Sequence, residues 1–338
     1  MQRLTESKLI LVTRRTRVAE LKRRFNTGLQ AKFYVSHLGQ DFSDYEQEDE
    51  HYSASVLATV QALDSIGRVQ VIDRSFLPNF VFGPEDVVVV LGQDGLVANT
   101  VKYLDGQPVV GVNPDPSRWD GQLLPFQVAD VAKVVPEVLQ RRRLIKRVTM
   151  ALAKLNTGET LHAVNDLFIG PRTHTSARYL IEHGGNSETH SSSGVIVSTG
   201  LGSTGWFKSL LTGASALVQS FGSTRPKAFQ PGLESVGKPR AHGPASRNGH
   251  PASLVTAGEF AWDSRQLCFV VREPFPSCTT QAGIVFGRIT TKQPLILTSQ
   301  MPENGVIFSD GIEADFLEFR SGTVATVTLA ERSGSLVI

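Results

Sequence analysis

Two apolar, β-branched runs separated by one helix-length segment constrain the fold of this chain more than any other feature. The first is Val87–Leu91 and the second is Pro108–Val112. Such runs, without polar alternation, predict strands covered on both faces, as in parallel sheets. The segment 96–104 between them predicts a helix, which makes a βαβ unit. Its parallel strands would place the turn at 92–95 on the carboxyl edge of the sheet, where open α/β folds bind ligands.

The rest of the chain divides into an alternating half and a strand-rich half. Before residue 143 we predict strands at 9–13 and 69–72, helices at 18–25, 52–66 and 128–139, and a solvated connection at 40–50. After it we predict a hairpin of 148–154 and 161–169, then strands at 179–182, 195–199, 267–271, 284–289, 295–298, 305–308 and 323–329. The expected fold is therefore an amino-terminal three-layer, Rossmann-like α/β domain over 1–143 and a carboxyl-terminal, β-sandwich-like domain over 144–338. A stretch rich in Gly, Pro and Ser at 221–252 predicts a flexible insertion.

Charge and cysteine usage narrow the classes of partner. The chain has 338 residues, with 34 Lys+Arg against 32 Asp+Glu and a formal net charge of +2. That charge is too small to favour nucleic acid or a membrane surface through long-range attraction, and we expect neither as a partner. Two cysteines fit a reducing compartment, so we expect a cytoplasmic location. The histidines show no metal-binding spacing, and we predict no dedicated metal site.

The turn Gly92-Gln93-Asp94-Gly95 is the first candidate for chemistry. Two glycines let backbone N–H groups approach an anion, and the following helix adds partial positive charge, so a phosphate could bind here. The carboxylate of Asp94 could then act as a base or as a metal partner. The same residues also make an ordinary tight turn.

Two later segments carry further polar groups. The loop 198–206 combines three glycines and four hydroxyl side chains with Trp206, a composition suited to phosphate or ribose, with an aromatic ring for stacking. It could equally be a flexible turn before a helix. The pair Asn165-Asp166 could hydrogen-bond two vicinal ribose hydroxyls, although such pairs also cap turns.

Taken together, these segments resemble the NAD kinase family. The family's Gly-Gly-Asp-Gly-Thr segment is matched by Gly92–Leu96, its Gly-Ile-Asn strand end by Gly111–Asn113, and its Asn-Glu pair by Asn165-Asp166. The family's Thr-x-x-Gly-Ser-x-x-aromatic loop is matched by Thr199–Trp206, and a closing Asp-Gly hairpin by Asp310-Gly311. The surrounding sequences are similar to the mitochondrial-type branch and its bacterial relatives.

The resemblance implies an activity, a set of ligands and a set of site residues. The activity is transfer of the γ-phosphate of ATP to the 2′-hydroxyl of the adenine-side ribose of NAD(H), with Mg²⁺ as cofactor and a homodimer as the expected assembly. Asp94 would be the catalytic residue. The resemblance further implies ligand contacts by residues in four segments: Gly92 and Gly95; Asn113; Asn165 and Asp166; and Thr199, Gly202, Ser203, Thr204 and Trp206.

Three departures from the family pattern leave other functions open. Gln93 stands where the family has glycine, Leu96 lacks a hydroxyl, and Asp166 is one methylene shorter than glutamate. These changes could alter the acceptor, so one alternative is a kinase for a sugar or polyol hydroxyl. A second is a nucleotide-binding regulator without turnover.

Overall fold

The computed structural model describes residues 5–221 and 260–338. The α-helices in these ranges are α1 (Arg17–Phe25), α2 (Gly28–His37), α3 (Ser43–Asp64), α4 (Asp94–Val101), α5 (Val131–Leu139) and α6 (Trp206–Phe221). The strands of the first half are β1 (Lys8–Thr13), β2 (Arg68–Asp73), β3 (Val87–Leu91), β4 (Pro108–Asn113) and β5 (Phe126–Gln127). Those of the second half are β6 (Ile145–Leu155), β7 (Thr160–Ala163), β8 (Asp166–Pro171), β9 (Ala177–His183), β10 (Asn186–Ser192), β11 (Val195–Ser198), β12 (Leu267–Val271), β13 (Phe286–Ile289), β14 (Leu295–Ser299), β15 (Gly305–Ser309), β16 (Ile312–Glu318) and β17 (Val324–Val337).

The amino-terminal half is a parallel sheet between helices. Its strands lie in the order β2-β1-β3-β4, and all of these neighbours run parallel. Every residue of β3 is buried, because α3 and α5 cover one face of the sheet and α4 covers the other. The predicted βαβ unit and the three-layer α/β domain are thereby confirmed.

The carboxyl-terminal half is built from two antiparallel sheets packed face to face. One is β13-β12-β11-β8-β15-β16, and the other contains β10, β9, β14, β17, β6 and β7. A single apolar core lies between them, with Ile181, Leu297 and Val327 on one side and Ile169, Val197 and Phe269 on the other. Alternation of buried and outward residues along strands such as β14 directs the core-facing side chains inward. The predicted β-rich sandwich is present.

β17 joins the two halves into one sheet. Its first part pairs antiparallel with β14, and residues 325–329 and 333–337 pair antiparallel with β6. Its last residues pair parallel with β4, with Ser335 opposite Pro108 and Leu336 opposite Val109. The parallel sheet of the first half therefore continues into the second half without an edge at β4.

The predicted solvated connection at 40–50 is wrong from residue 43 onward, where α3 begins. Asp44 and Glu46 lie in the first turn of that helix, where its dipole favours negative charge. Glu48 is buried and forms salt bridges with Arg14, at 2.7 Å, and with Arg17. The polar composition thus belongs to a helix whose acids pair with the basic residues that follow β1.

The predicted second arm of the hairpin, 161–169, is two strands in different sheets. β7 ends at Ala163 and pairs with β6, whereas β8 begins at Asp166 in the opposite sheet. The chain crosses between the sheets at Val164 and Asn165. This crossing places Asn165 and Asp166 at the end of the sandwich that faces α4.

The structure also bears on three smaller expectations. The predicted insertion at 221–252 lies outside the described residues, apart from its first residue. Helix α2 and strands β5, β10 and β16 were not predicted. Within 5–221 and 260–338, no helix has the length and apolar character needed to cross a membrane.

Candidate active site

A cleft of about 350 Å³ lies between the carboxyl edge of the parallel sheet and the adjacent end of the sandwich. The residues that line it come from five segments distant in sequence: Asp94 and Gly95; Gln122 and Leu123; Asn165 and Asp166; Leu201, Gly202, Thr204, Gly205 and Trp206; and Asp310 and Gly311. Seven of the eleven residues to which the resemblance assigns a catalytic or ligand-binding role therefore share one cleft with the matched Asp310-Gly311 turn: Asp94, Gly95, Asn165, Asp166, Gly202, Thr204 and Trp206.

Asp94 is held at the cleft by backbone amides. It is the first residue of α4 and follows the end of β3 at Leu91 after Gly92 and Gln93. One carboxylate oxygen, Oδ1, accepts a hydrogen bond from the Leu123 amide at 2.7 Å, and Oδ2 accepts one from the Gln122 amide at 3.3 Å. Each oxygen keeps a second lone pair for a ligand. The carboxylate is thus oriented by the protein and can still accept a hydrogen bond from a ligand.

The loop that carries these two amides is anchored by Asn113. The side-chain amide of Asn113 donates to the Trp119 carbonyl at 2.9 Å, and its Oδ1 accepts from the Asp115 amide at 3.0 Å. Gly121 has φ of +65°, and a Cβ there would lie 2.7 Å from the Asn113 side chain. Asn113 is therefore buried behind the cleft, where it positions the loop that orients Asp94.

The Gly-rich loop at 198–206 packs closely against Val164 and Asn165, where the chain passes from one sheet to the other. A Cβ on Gly202 would lie 2.0 Å from the Asn165 carbonyl oxygen, which no side chain permits. The Thr199 amide donates to that same carbonyl at 2.9 Å, and the Thr199 hydroxyl donates to the Val164 carbonyl. The Ser203 hydroxyl donates to the Gly200 carbonyl at 2.7 Å. These contacts fix Thr204 and Trp206 relative to Asn165.

Four residues of the sequence-based set lie behind the cleft surface rather than in its lining. They are Gly92, Asn113, Thr199 and Ser203, all of them buried. The Gly92 amide donates to the Val112 carbonyl at 3.2 Å and belongs to the sheet, so the amide expected to meet phosphate is already used. Thr199 and Ser203 direct their hydroxyls to backbone carbonyls. Leu96, the departure that suggested an altered ligand, is packed in the apolar core under α4.

Asp310 closes the cleft from the sandwich side and organises Asn165 and Asp166. Its Oδ1 accepts hydrogen bonds from the backbone amides of Val164 at 3.0 Å, Asn165 at 2.6 Å and Asp166 at 3.3 Å. The residue has φ of +55°, a left-handed conformation that Asp tolerates, followed by Gly311 at +70°. One carboxylate thus caps three consecutive amides at the point where the chain changes sheets.

Asp166 and Asp310 are neighbouring buried carboxyl groups, and the pKa of each is raised. Burial raises the pKa of Asp310 to about 6, although the amides and the charge of Lys102 favour its ionised form. Burial, together with the charge of Asp310, raises the pKa of Asp166 to about 7. Asp310 ionises first because it has the donors, and its charge then disfavours ionisation of Asp166. Asp166 therefore keeps its proton to a higher pH than an exposed aspartate does.

A buried lysine connects α4 to the sandwich under Asp310. Lys102 is 2% exposed; its Nζ lies 2.8 Å from Oδ2 of Asp315 and donates to the Ser309 hydroxyl at 3.0 Å. The Tyr103 hydroxyl donates to the same Asp315 oxygen. Because Asp94 begins the helix and Lys102 follows its end, this ion pair fixes α4 against β15 and β16 and so holds Asp94 opposite Asp310.

The lining of the cleft is acidic and contains no lysine or arginine among the described residues. Its carboxylates are hard oxygen donors of the kind that Mg²⁺ takes in proteins. The described residues contain no group of three or more His, Cys, Asp or Glu placed to hold a metal ion by themselves. These donors fit Mg²⁺ that is bound mainly through substrate phosphates, as is usual for this ion.

Comparison with solved structures identifies the same architecture in two other proteins. Yeast NADH kinase, solved in complex with NADH, aligns with a TM-score of 0.52 over 98% of this chain and 84% of its own, at 15% identity. An NAD kinase from Archaeoglobus fulgidus, solved with ATP, aligns with a TM-score of 0.52 over 98% of this chain and 93% of its own, at 13% identity. The chain has the NAD kinase fold. No protein-family model matches it, and a search of curated proteins gives no match.

Sequence reasoning missed two parts of this site on the NAD kinase fold. The Gln122 and Leu123 amides act through the backbone and leave no side-chain signal. Lys102 and Asp315 are far apart in sequence, and only the packing of α4 on the sandwich brings them together. The glycine at position 121 was the available sequence sign that the loop after β4 turns tightly, and its φ is positive in the structure.

Proposed function

We propose that this chain is a kinase that transfers the γ-phosphate of ATP to the 2′-hydroxyl of the adenine-side ribose of NAD(H), forming NADP(H). The observation that carries the proposal is the convergence of Asp94, the Asn165-Asp166 pair and the Gly202–Trp206 loop in one cleft. Their sequence pattern is similar to that of the NAD kinase family. The likeness to two NAD(H) kinases in fold supports the same activity.

In the proposed reaction Asp94 orients the acceptor hydroxyl and takes its proton. The hydroxyl oxygen forms a bond to the γ-phosphorus, the bond from that phosphorus to the β,γ-bridging oxygen breaks, and ADP leaves with the electron pair. A positioned base of this kind contributes about 10² to 10⁴ in rate. The amides of Gln122 and Leu123 restrict the rotation of the carboxylate, so it meets the hydroxyl in a preset orientation.

Asp166 has a different role in the proposal. A protonated carboxyl donates one hydrogen bond and accepts another, which suits a ribose hydroxyl better than a second negative charge does. Its raised pKa keeps that proton available near neutral pH. Mg²⁺, when bound with ATP, supplies the positive charge that the acidic lining lacks.

The test is an NADP(H)-forming assay with ATP and Mg²⁺, supplied in parallel with NAD⁺, NADH and a panel of sugars and polyols. We expect product from NAD⁺ or NADH with the wild-type chain. Asp94→Asn keeps the shape of the side chain but cannot take a proton, so turnover should fall by about 10² or more. Asp64→Asn, an exposed position at the end of α3, is the matched control and should retain full activity.

Other outcomes would replace the proposal. Phosphorylated sugars without NADP(H) would assign the chain to sugar or polyol phosphorylation. Calorimetric binding of ATP or NAD⁺ without any product would make it a nucleotide-binding regulator. Undiminished turnover in Asp94→Asn would remove Asp94 from the chemistry. The homodimer expected from the resemblance stays a prediction, which light scattering can measure.

A further inference from the structure

A second cavity, of about 180 Å³, lies beside the cleft and shares Trp206 with it. Its aromatic side chains are Phe168, Trp206 and Phe308, and its charged ones are Arg172, Arg272 and Glu313. The cleft, by contrast, is lined by three aspartates and no basic residue. The two cavities therefore differ in the sign of their charge.

The strands of the sandwich place these two cavities next to each other on one surface. β8 runs from Asp166, in the cleft, to Pro171, which precedes Arg172. Phe168 lies two residues after Asp166 on the same face of β8 and lines the second cavity, and Trp206 lines both cavities. Pairing of Val195 with both Ile169 and Val271 brings Arg272 to the same end as Arg172. A ligand that reached both cavities would lie along the outer face of this sheet.

The surface between them is a rigid aromatic stack. A Cβ on Gly170 would lie 2.7 Å from the Phe168 ring, and one on Gly194 would lie 2.8 Å from it, so two glycines make room for that ring. Trp206 stacks on Phe168 with ring centroids 5.8 Å apart and planes 13° from parallel. Phe308, on the neighbouring strand β15, has its ring centroid 4.9 Å from that of Phe168. Packing therefore fixes the position of Trp206, which a planar ligand group could contact.

The two guanidinium groups are only weakly paired within the protein. Arg272 lies 5.5 Å from the Trp206 ring, its nearest carboxylate is that of Glu273 at 3.6 Å, and its buried Nε has no hydrogen-bond partner. Arg172 lies over the Phe316 ring at 3.9 Å, and no carboxylate of the described residues is within 4.0 Å of it. A buried donor without a partner is costly, because it gives up its water without compensation. Both groups can still bind an anion, and guanidinium donors match phosphate oxygens.

We propose that this second cavity binds the anionic, phosphate-bearing half of the acceptor while the acceptor hydroxyl lies at Asp94. A molecule with a neutral hydroxyl at one end and phosphates at the other matches the acidic cleft and the basic cavity in order. This inference rests on the proposed function and restricts its acceptor to a nucleotide that carries phosphate, because a monosaccharide would leave both arginines unpaired.

The test compares Arg172→Gln/Arg272→Gln with the wild-type chain in titration calorimetry. The ligands are NAD⁺ and adenosine, which has the same adenine-ribose end but no phosphate. We expect NAD⁺ to bind the double variant about tenfold more weakly or worse, and adenosine to change less than about twofold. The affinity of the wild-type chain for NAD⁺ should fall with added salt, and that of the variant should fall less. Arg320→Gln, an exposed arginine next to β16 that pairs with Glu318, is the control and should bind as wild type does.

Three results separate this inference from the proposed function. Equal weakening of NAD⁺ and adenosine, or weakening of neither, would overturn the anion site. A rise in the KM for NAD⁺ with unchanged kcat would support it, since lost uniform binding raises KM alone. If the wild-type chain binds no NAD⁺, the proposed function fails. Titration of both proteins with inorganic pyrophosphate then tests the anion site by itself. The site is supported only if the wild-type chain binds pyrophosphate and the double variant does not.

Discussion

Replacing Asp166 by asparagine should stabilise the protein at alkaline pH, although it removes a residue of the candidate site. The side chain is 8% exposed, and its pKa is raised from 3.8 to about 7 by burial and by the charge of Asp310. At 1.36 kcal/mol per pKa unit, that difference corresponds to about 4 kcal/mol of folding free energy. Asn has nearly the same shape and cannot ionise, so it does not incur this cost.

The sign of the effect follows from linkage. A carboxyl whose pKa is higher in the folded than in the unfolded protein contributes stability that is fully present below pH 3.8 and is lost as the pH rises to about 7. The wild-type chain should therefore lose up to about 4 kcal/mol across this window through Asp166, and Asp166→Asn should lose none of it. His162, whose pKa is lowered to about 4 by burial, acts in the opposite direction but is the same in both proteins.

The assay is urea-induced unfolding at a series of pH values from 4 to 8. We expect the two proteins to have similar free energies of unfolding near pH 4, and Asp166→Asn to exceed the wild type by about 2–4 kcal/mol at pH 8. Asp64→Asn, which alters an exposed carboxyl, should follow the wild-type curve throughout. Parallel curves for wild type and Asp166→Asn would refute the reasoning, because they would mean that Asp166 titrates alike in the folded and unfolded protein.

Two further substitutions probe the scaffold of the site. Gly202→Ala should destabilise the fold by about 3 kcal/mol, because its Cβ would lie 2.0 Å from the Asn165 carbonyl oxygen. Gly213→Ala, in α6 with open space around the added carbon, should instead stabilise by about 1 kcal/mol, and thermal unfolding distinguishes the two. Lys102→Met should lower the free energy of unfolding by about 3 kcal/mol, because it leaves Asp315 without its buried partner. A Lys102→Met protein with wild-type stability would show that this ion pair does not hold α4 in place.

The parts of the fold that were predictable are those whose side chains report burial directly. Val87–Leu91 is apolar throughout because helices cover both of its faces, and the structure begins and ends β3 at those residues. The turn after it belongs at the carboxyl edge by the geometry of parallel strands alone. From these two facts the location of Asp94 followed without any knowledge of the sandwich.

Strand β10 shows where this kind of reasoning stops. Its sequence, Asn186–Ser192, contains no apolar side chain, and its buried residues include His190 and Ser192. Backbone pairing with β9 holds it in place, and hydrophobic periodicity does not report such pairing. Gly184 and Gly185, both with positive φ, make the two-residue turn between the strands, and this Gly-Gly signal could have predicted the hairpin.

The crossing at Val164 and Asn165 was beyond prediction for a different reason. Residues 161–169 are apolar on both sides of Asn165-Asp166, and this pair, which is also common at turns, does not by itself indicate that the chain changes sheets. The change is imposed by Asp310, whose carboxylate binds three successive amides from far along the chain. A contact of this kind can be recognised only when both segments are seen together, and it is what brings Asn165 and Asp166 into the cleft.

The pairing of β17 with β4 has a consequence for how the molecule assembles. Pro108 and Ser335 are neighbours in the sheet although most of the sandwich separates them along the chain. During synthesis β4 is made long before β17. Until β17 pairs with it, that edge of β4 is open to pairing with any other extended chain. Contacts so distant in sequence slow the search for the native state. A variant with a shortened β17 should therefore tend to self-associate while it is newly made, even if its cleft is unchanged.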